Sequence, residues 1–140
     1  MNAKHRMSVQ IRFNDIDLMG HVYNAKYQEF FDLARLEYFD QVLGNLISWD
    51  NEGLIIASVK VEFMEPTFLN DQIEVETHIS SVGEKSLVMT QQLFKNGKQE
   101  PGCTCNTVMV CYNMKEKFSK SIPSEWKAKF RKYEPELTLN

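Results

Sequence analysis

Hydrophobic and polar positions along the chain change period twice. Val9, Ile11 and Phe13 alternate with Gln10 and Arg12, the two-residue period of a half-buried strand. From Asn24 to about Leu43 the period becomes helical. Tyr27, Phe30, Phe31, Ala34, Tyr38 and Val42 fall on one stripe at i, i+3, i+4, i+7 spacing. Leu33, Leu36, Phe39 and Leu43 widen that stripe, and Gln28, Asp32, Arg35 and Asp40 leave only a narrow polar edge. A helix with so little polar surface is expected to be largely enclosed. Asn24 suits the N-cap and Gly44 the stop.

Alternation then returns and persists. Leu54 to Met64 sets Ala57, Val59, Val61 and Phe63 against Ser58, Lys60 and Glu62. Gln72 to Val82 sets Ile73, Val75, Thr77 and Ile79 against Glu74, Glu76 and His78. Ser86 to Lys95 and Cys103 to Asn113 read as two further strands, separated by turn signals at Gly83-Glu84-Lys85 and Asn96-Gly97. Pro66 and Asn70-Asp71 mark a connection, and Pro123-Ser124-Glu125 opens a short helix, about 123–133, carrying Trp126 and Phe130. The pattern predicts an α+β domain in which an antiparallel sheet curls around one long helix. The outer strand faces keep many apolar and small residues, so the sheet is expected to associate into an oligomer.

Composition narrows this little. The 140 residues, 43% hydrophobic and 25% charged, suit a single globular domain spanning 1–140. A net charge of −3 gives no electrostatic reason to expect nucleic acid or an anionic membrane as partner. The charge is uneven, with seven Lys/Arg against four Asp/Glu from Lys115 to Asn140. That basic tail reads as a solvated helix or as a contact for an anionic partner. Three cysteines, no signal-peptide core and no apolar run near the roughly 20 residues of a membrane span predict a reduced, cytoplasmic protein. Cys103 and Cys105 share a strand face as core thiols, and no Cys/His cluster supplies a metal site. His5, near the terminus, and His78, on a polar strand face, carry no functional expectation.

The informative segment is Arg12-Phe13-Asn14-Asp15-Ile16-Asp17-Leu18-Met19-Gly20-His21-Val22-Tyr23-Asn24-Ala25-Lys26-Tyr27. It sets an acidic loop directly before the start of the enclosed helix. Unpaired N–H groups and the positive end of the helix dipole there suit a carbonyl oxygen that gains negative charge. A carboxylate just upstream can attack the same carbonyl or activate water beside it. Gly20 lets the backbone approach a ligand closely. Acidic loops before helices also serve as caps and turns, and spacing alone leaves both readings open.

The same segment resembles the signature of the 4-hydroxybenzoyl-CoA thioesterase-like branch of the hotdog superfamily. The shared pattern is an aromatic, D-x-D, two residues, G, then a short apolar stretch into a helix with N-x-x-Y. It is also similar to the corresponding segment of acyl-ACP thioesterases. Val59-Lys60-Val61-Glu62-Phe63-Met64-Glu65-Pro66, Asp71 and Gly83-Glu84-Lys85-Ser86 extend the likeness over roughly residues 7 to 118.

The resemblance implies a hotdog fold and hydrolysis of acyl-CoA thioesters, with Asp17 as nucleophile or general base. The backbone N–H groups of Tyr23 and Asn24 then polarise the carbonyl, and Gly20, His21 and Val22 are site neighbours. Asp15 matches a structural position. His21 matches a histidine of the acyl-ACP branch, but Met19 stands where that branch has Asn, which leaves an ordinary loop histidine as the other reading. Val59, Lys60, Lys85 and Ser86 are implied substrate contacts, the last two for CoA phosphates. A homodimer or homotetramer with substrate between subunits is implied, with no metal or redox cofactor. An acyl-ACP thioesterase and a non-catalytic acyl-binding module remain the alternatives.

Overall fold

The computed structural model describes residues 4–139. Five long strands form one antiparallel sheet in the order β1-β3-β4-β5-β2. They are β1 (His5–Val9), β2 (Glu52–Phe63), β3 (Ile73–Val82), β4 (Ser86–Lys95) and β5 (Cys103–Asn113). A short β6 (Phe118–Ser119) pairs β5, and β7 (Thr138–Leu139) pairs β3 in parallel. The sheet curls around α1 (Asn24–Leu43), and α2 (Ser124–Tyr133) closes one end. This is the hotdog architecture, and the α+β expectation holds.

Inward-facing residues build two core clusters along α1. Tyr27, Phe30, Phe31 and Ala34 meet Ile73, Val75, Leu93, Cys103 and Cys105. One helix turn on, Tyr38, Phe39, Val42 and Leu43 meet Ile79, Leu87, Met89 and Met109, together with Trp126 and Phe130 of α2. Gly44 ends α1 at φ +54°, where a side chain is strained. All three cysteines are buried and unbridged.

Four expectations need correction. The first strand is not centred on Val9–Phe13: β1 ends at Val9, and Phe13 begins a 3-10 turn with its ring 82% exposed. His5, expected in a loose terminus, is buried in β1 against the Tyr38 ring, with Glu37 3.3 Å from its Nε2. Arg35, expected on a polar edge, is buried. It pairs with Asp32 and donates to Gln91 at 3.3 Å and Thr107 at 3.1 Å. Conversely α1 is not enclosed all round, because the sheet of one chain covers only one face and leaves Leu33 and Leu36 at the surface. The sheet has two edges, the short β1 and the long β2; β2 is paired only with β5 and exposes Ile55, Ile56 and Phe63.

Candidate active site

The loop before α1 is built by its own polar groups. Asp15 is buried; its carboxylate accepts the Arg12 N–H at 2.8 Å and its carbonyl the Tyr23 N–H, also at 2.8 Å. It fastens both ends of the loop, the structural duty expected of it. Within that frame Ile16 pairs with Val22. Residues 17–21 form a tight turn in which the Asp17 N–H donates to the His21 carbonyl at 2.9 Å. Gly20 supplies the positive φ, +83°, that this turn requires.

Asp17 sits half-buried on the turn. Its Oδ1 accepts the Met19 N–H at 2.9 Å and the His21 N–H at 3.4 Å. Among the described residues nothing donates to Oδ2. One oxygen is therefore fixed by the backbone and the other is available to a ligand. The turn role and a chemical role, posed as alternatives by the sequence, are therefore compatible, because the turn occupies only Oδ1.

The helix start is equally uncommitted. α1 opens at Asn24, so the cap position falls on Tyr23, and no side chain caps the first turn. Asn24 was expected as that cap and is instead the first helical residue. The Tyr23 N–H is spent on Asp15, and the Val22 N–H on the Thr67 carbonyl at 2.8 Å. Among the described residues the Asn24 and Ala25 N–H groups have no partner, and these carry the positive end of the helix dipole.

Asp17, His21, Val22, Tyr23 and Asn24 line one open pocket of about 440 Å³, with Tyr27, Phe63 and Glu65 on its other walls. That is the size of a small-ligand site. The expectation and the geometry part over the remaining residues. Val59 points inward on β2 against the first core cluster, and Lys60 is exposed, 4.0 Å from Glu62. Lys85 and Ser86 lie at the far end of β4 from Lys95, nine residues and roughly 30 Å away at strand rise. One chain does not bring them to Asp17.

The sequence also left several site residues unread. Tyr27 donates its hydroxyl to Thr67 Oγ1 at 2.9 Å, and Phe68 meets the His21 ring edge-on at 5.0 Å. Thr67 and Phe68 sit in an irregular connection whose local pattern carries no sign of this. Burial raises the Tyr27 hydroxyl above its ordinary value, so it remains a neutral donor. Burial likewise pushes the Cys103 thiol up to about 12, which keeps it protonated and no nucleophile. Among the described residues no three His, Cys, Asp or Glu side chains gather as metal ligands, and no helix is long and apolar enough to cross a membrane.

Known proteins with this architecture are similar in sequence as well. Residues 11–130 match the family model of the thioesterase-like superfamily. The acyl-CoA thioester hydrolase YbgC of Escherichia coli is 27% identical over 131 residues, 90% of this chain and 95% of that one. The chloroplastic acyl-acyl carrier protein thioesterase ATL3 of Arabidopsis thaliana is 25% identical over 132 residues, 93% of this chain and 69% of that one. A solved thioesterase from Thermus thermophilus, complexed with coenzyme A and zinc, is 26% identical. It superposes with a TM-score of 0.79 over 93% of this chain and 94% of that one. The chain belongs to the thioesterase-like superfamily and is a thioester hydrolase on the hotdog fold.

Proposed function

We propose that the chain hydrolyses acyl-CoA thioesters, with Asp17 as the catalytic carboxylate and the N–H groups at the start of α1 as the oxyanion site. The carrying observation is the pairing, in one pocket, of a carboxylate oxygen and helix N–H groups that have no partner among the described residues. A thioester carbonyl laid between them directs its oxygen at the Asn24 N–H and its carbon at Asp17. As the tetrahedral centre forms, the oxygen gains charge where the dipole favours it. The C–S bond then breaks, the thiol leaves as CoA-SH after taking a proton, and water supplies the oxygen of the acid.

Asp17 serves this in either of two ways. Attack by Oδ2 gives a mixed anhydride that water opens, while proton abstraction lets water attack directly. Label found in Asp17 after turnover in ¹⁸O-water identifies the covalent route. His21 is a neighbour whose ring lies against Phe68, and it takes no step here.

The reading includes a second copy of the chain. The unpaired β2 edge and its exposed apolar residues favour edge-to-edge association into a homodimer or homotetramer. In such an assembly the Lys85 and Ser86 turn of one subunit serves the pocket of another and reaches the CoA phosphates. Carrier preference has a second candidate. Lys129, Arg131 and Lys132 are exposed on α2, a surface suited to an acidic acyl carrier protein. A panel of acyl-CoAs, one aryl-CoA and one acyl-ACP, assayed with the wild type and Asp17→Asn, tests the substrate class and the role of Asp17. Wild-type turnover of CoA esters that is lost in Asp17→Asn supports the proposal. Undiminished turnover in the variant removes Asp17 from the mechanism, and no turnover of any ester leaves a non-catalytic acyl-binding module.

A further inference from the structure

Lys95 is the last residue of β4, and only 7% of its side chain is exposed. A buried ammonium requires acceptors for its three N–H protons. Those it meets belong to one segment, residues 65–71. Nζ donates to the Pro66 carbonyl at 2.5 Å and lies 3.6 Å from Glu65 Oε1 and 3.5 Å from Asp71 Oδ2. It also stands over the Phe68 ring, 5.7 Å from the centroid. Asp71 is fixed in turn, accepting the Phe68 N–H at 2.8 Å and the Asn96 side-chain amide at 2.9 Å. Lys95 thus staples the segment to the end of β4 at three points.

The same segment is a wall of the candidate active site. Glu65 and Pro66 line the pocket. Thr67, fully buried, accepts the Val22 N–H at its carbonyl and the Tyr27 hydroxyl at Oγ1. Phe68 packs on His21. Val22 and His21 join the Asp17 turn to the start of α1. Every link from the ammonium to the carboxylate is therefore a direct contact, although Lys95 itself is not among the pocket's residues.

We infer that Lys95 is a positioning residue for the Asp17 loop, acting through residues 65–71. Its effect on turnover rests on the reading of Asp17 given above; its hold on the loop does not. Removing the cation leaves Glu65 and Asp71 without their shared counter-charge and the Pro66 carbonyl without its donor. The segment then shifts, and Val22 loses a fixed acceptor. A displacement of about 1 Å between reacting groups is enough to lower a rate about 10²-fold. Lys98 provides the contrast, because it also lies 3.6 Å from Glu65 but is 54% exposed and meets no other part of the segment.

The test is Lys95→Met in the full chain, read by amide exchange and by steady-state kinetics, beside Lys98→Met. In Lys95→Met the Val22 N–H should exchange about 10-fold faster or more, while Val82 and Leu87, at the other end of the sheet, keep their rates. Turnover should fall about 10- to 100-fold with KM near the wild-type value. Lys98→Met should change neither. If Lys95→Met does not fold, Asp71→Asn loosens the same staple from the other side and should move both readouts the same way by less. Uniformly faster exchange across the sheet would mark a merely structural lysine and overturn the inference, as would unchanged Val22 exchange. Faster Val22 exchange with normal turnover overturns it too if Asp17→Asn is inactive. Where Asp17→Asn is also active, the Asp17 assignment has failed and the coupling of Lys95 to the loop stands.

Discussion

The two ends of α1 are made from similar sequence and finished in opposite ways. At the C-terminal end Tyr38, Phe39, Val42 and Leu43 are sealed under α2, and Gly44 turns the chain away. Even the polar groups there are closed off. Ile79 lies on β3 between the stretches paired by β1 and β7, and the Glu134 carboxylate accepts its N–H at 3.0 Å together with the Tyr38 hydroxyl. Burial, reinforced by Glu134, pushes that hydroxyl far above its ordinary range, so it is a permanent donor. At the N-terminal end the Asn24 and Ala25 N–H groups have no acceptor among the described residues, and Leu18, Met19, Phe63 and Met64 are exposed. One end fixes the helix; the other leaves unspent what a substrate can use.

The contrast predicts that activity and stability come apart by position. Asp17→Asn should lower kcat about 10²- to 10⁴-fold, the usual loss for a positioned base. Its melting temperature should stay near the wild-type value, since the amide oxygen can take over the Met19 N–H that Oδ1 now accepts. Phe130→Ala should do the reverse. Its ring is fully buried against Phe39, and truncation costs about 3–5 kcal/mol of stability. The folded fraction should turn over normally, because α2 lies at the far end of α1. Urea unfolding and initial rates on the two variants check this, and a Phe130→Ala enzyme with lowered kcat would show that the sealed end also shapes the site.

The sequence made the frame legible and most of the site's supports illegible, for one reason. Helix and strand periods report which face a residue turns to the core, and so α1 and the strands β2 to β5 could be read almost to the residue. The same logic misread Phe13, because Val9-Ile11-Phe13 keeps the strand period although Asp15 bends the backbone into a turn there. It misread Arg35 as a surface charge and gave Lys95 no role beyond ending a strand. The acceptors of Arg35 on the sheet lie 56 and 72 residues away along the chain, and the Pro66 carbonyl that receives Lys95 lies 29 away. Local patterning carries no trace of such pairs. The Asp17 loop was legible as a candidate because its residues are contiguous, and even so the oxygen left without a donor and the uncapped helix start are seen only in the fold.

A smaller effect is expected from pH at the wall of the open end. Burial alone would raise the Asp71 carboxyl, but the Phe68 N–H, the Asn96 amide and the Lys95 ammonium outweigh it and hold it below its ordinary value. A carboxyl depressed on folding adds stability above its unfolded pKa of about 3.9, and loses it as pH falls through the lower folded value. Asp71→Asn should therefore be less stable than wild type by about 1.5–3 kcal/mol near neutrality. The gap should close below about pH 4. Denaturant unfolding of both proteins between neutral pH and pH 3 measures it, and a gap that persists unchanged into acid would mean that packing, not charge, secures Asp71.

The smallest effect on the fold belongs to Leu18, which has a relative exposure of 106% at the tip of the Asp17 turn. A side chain so exposed contributes nothing to the core of its own chain, and Leu18→Ser should change unfolding free energy by no more than about 0.5 kcal/mol. An apolar tip followed directly by exposed Met19 is nevertheless out of place in water unless a second subunit covers it. Burying a leucine in an interface is worth about 1.5–3 kcal/mol, which corresponds to a dissociation constant about tenfold higher, or more, once it is lost. Sedimentation equilibrium should then show Leu18→Ser dissociating at concentrations where the wild type remains associated, with the fold intact by circular dichroism. Identical association of the two proteins would put the tip in solvent in the assembly, and the unpaired β2 edge alone would have to hold the subunits together.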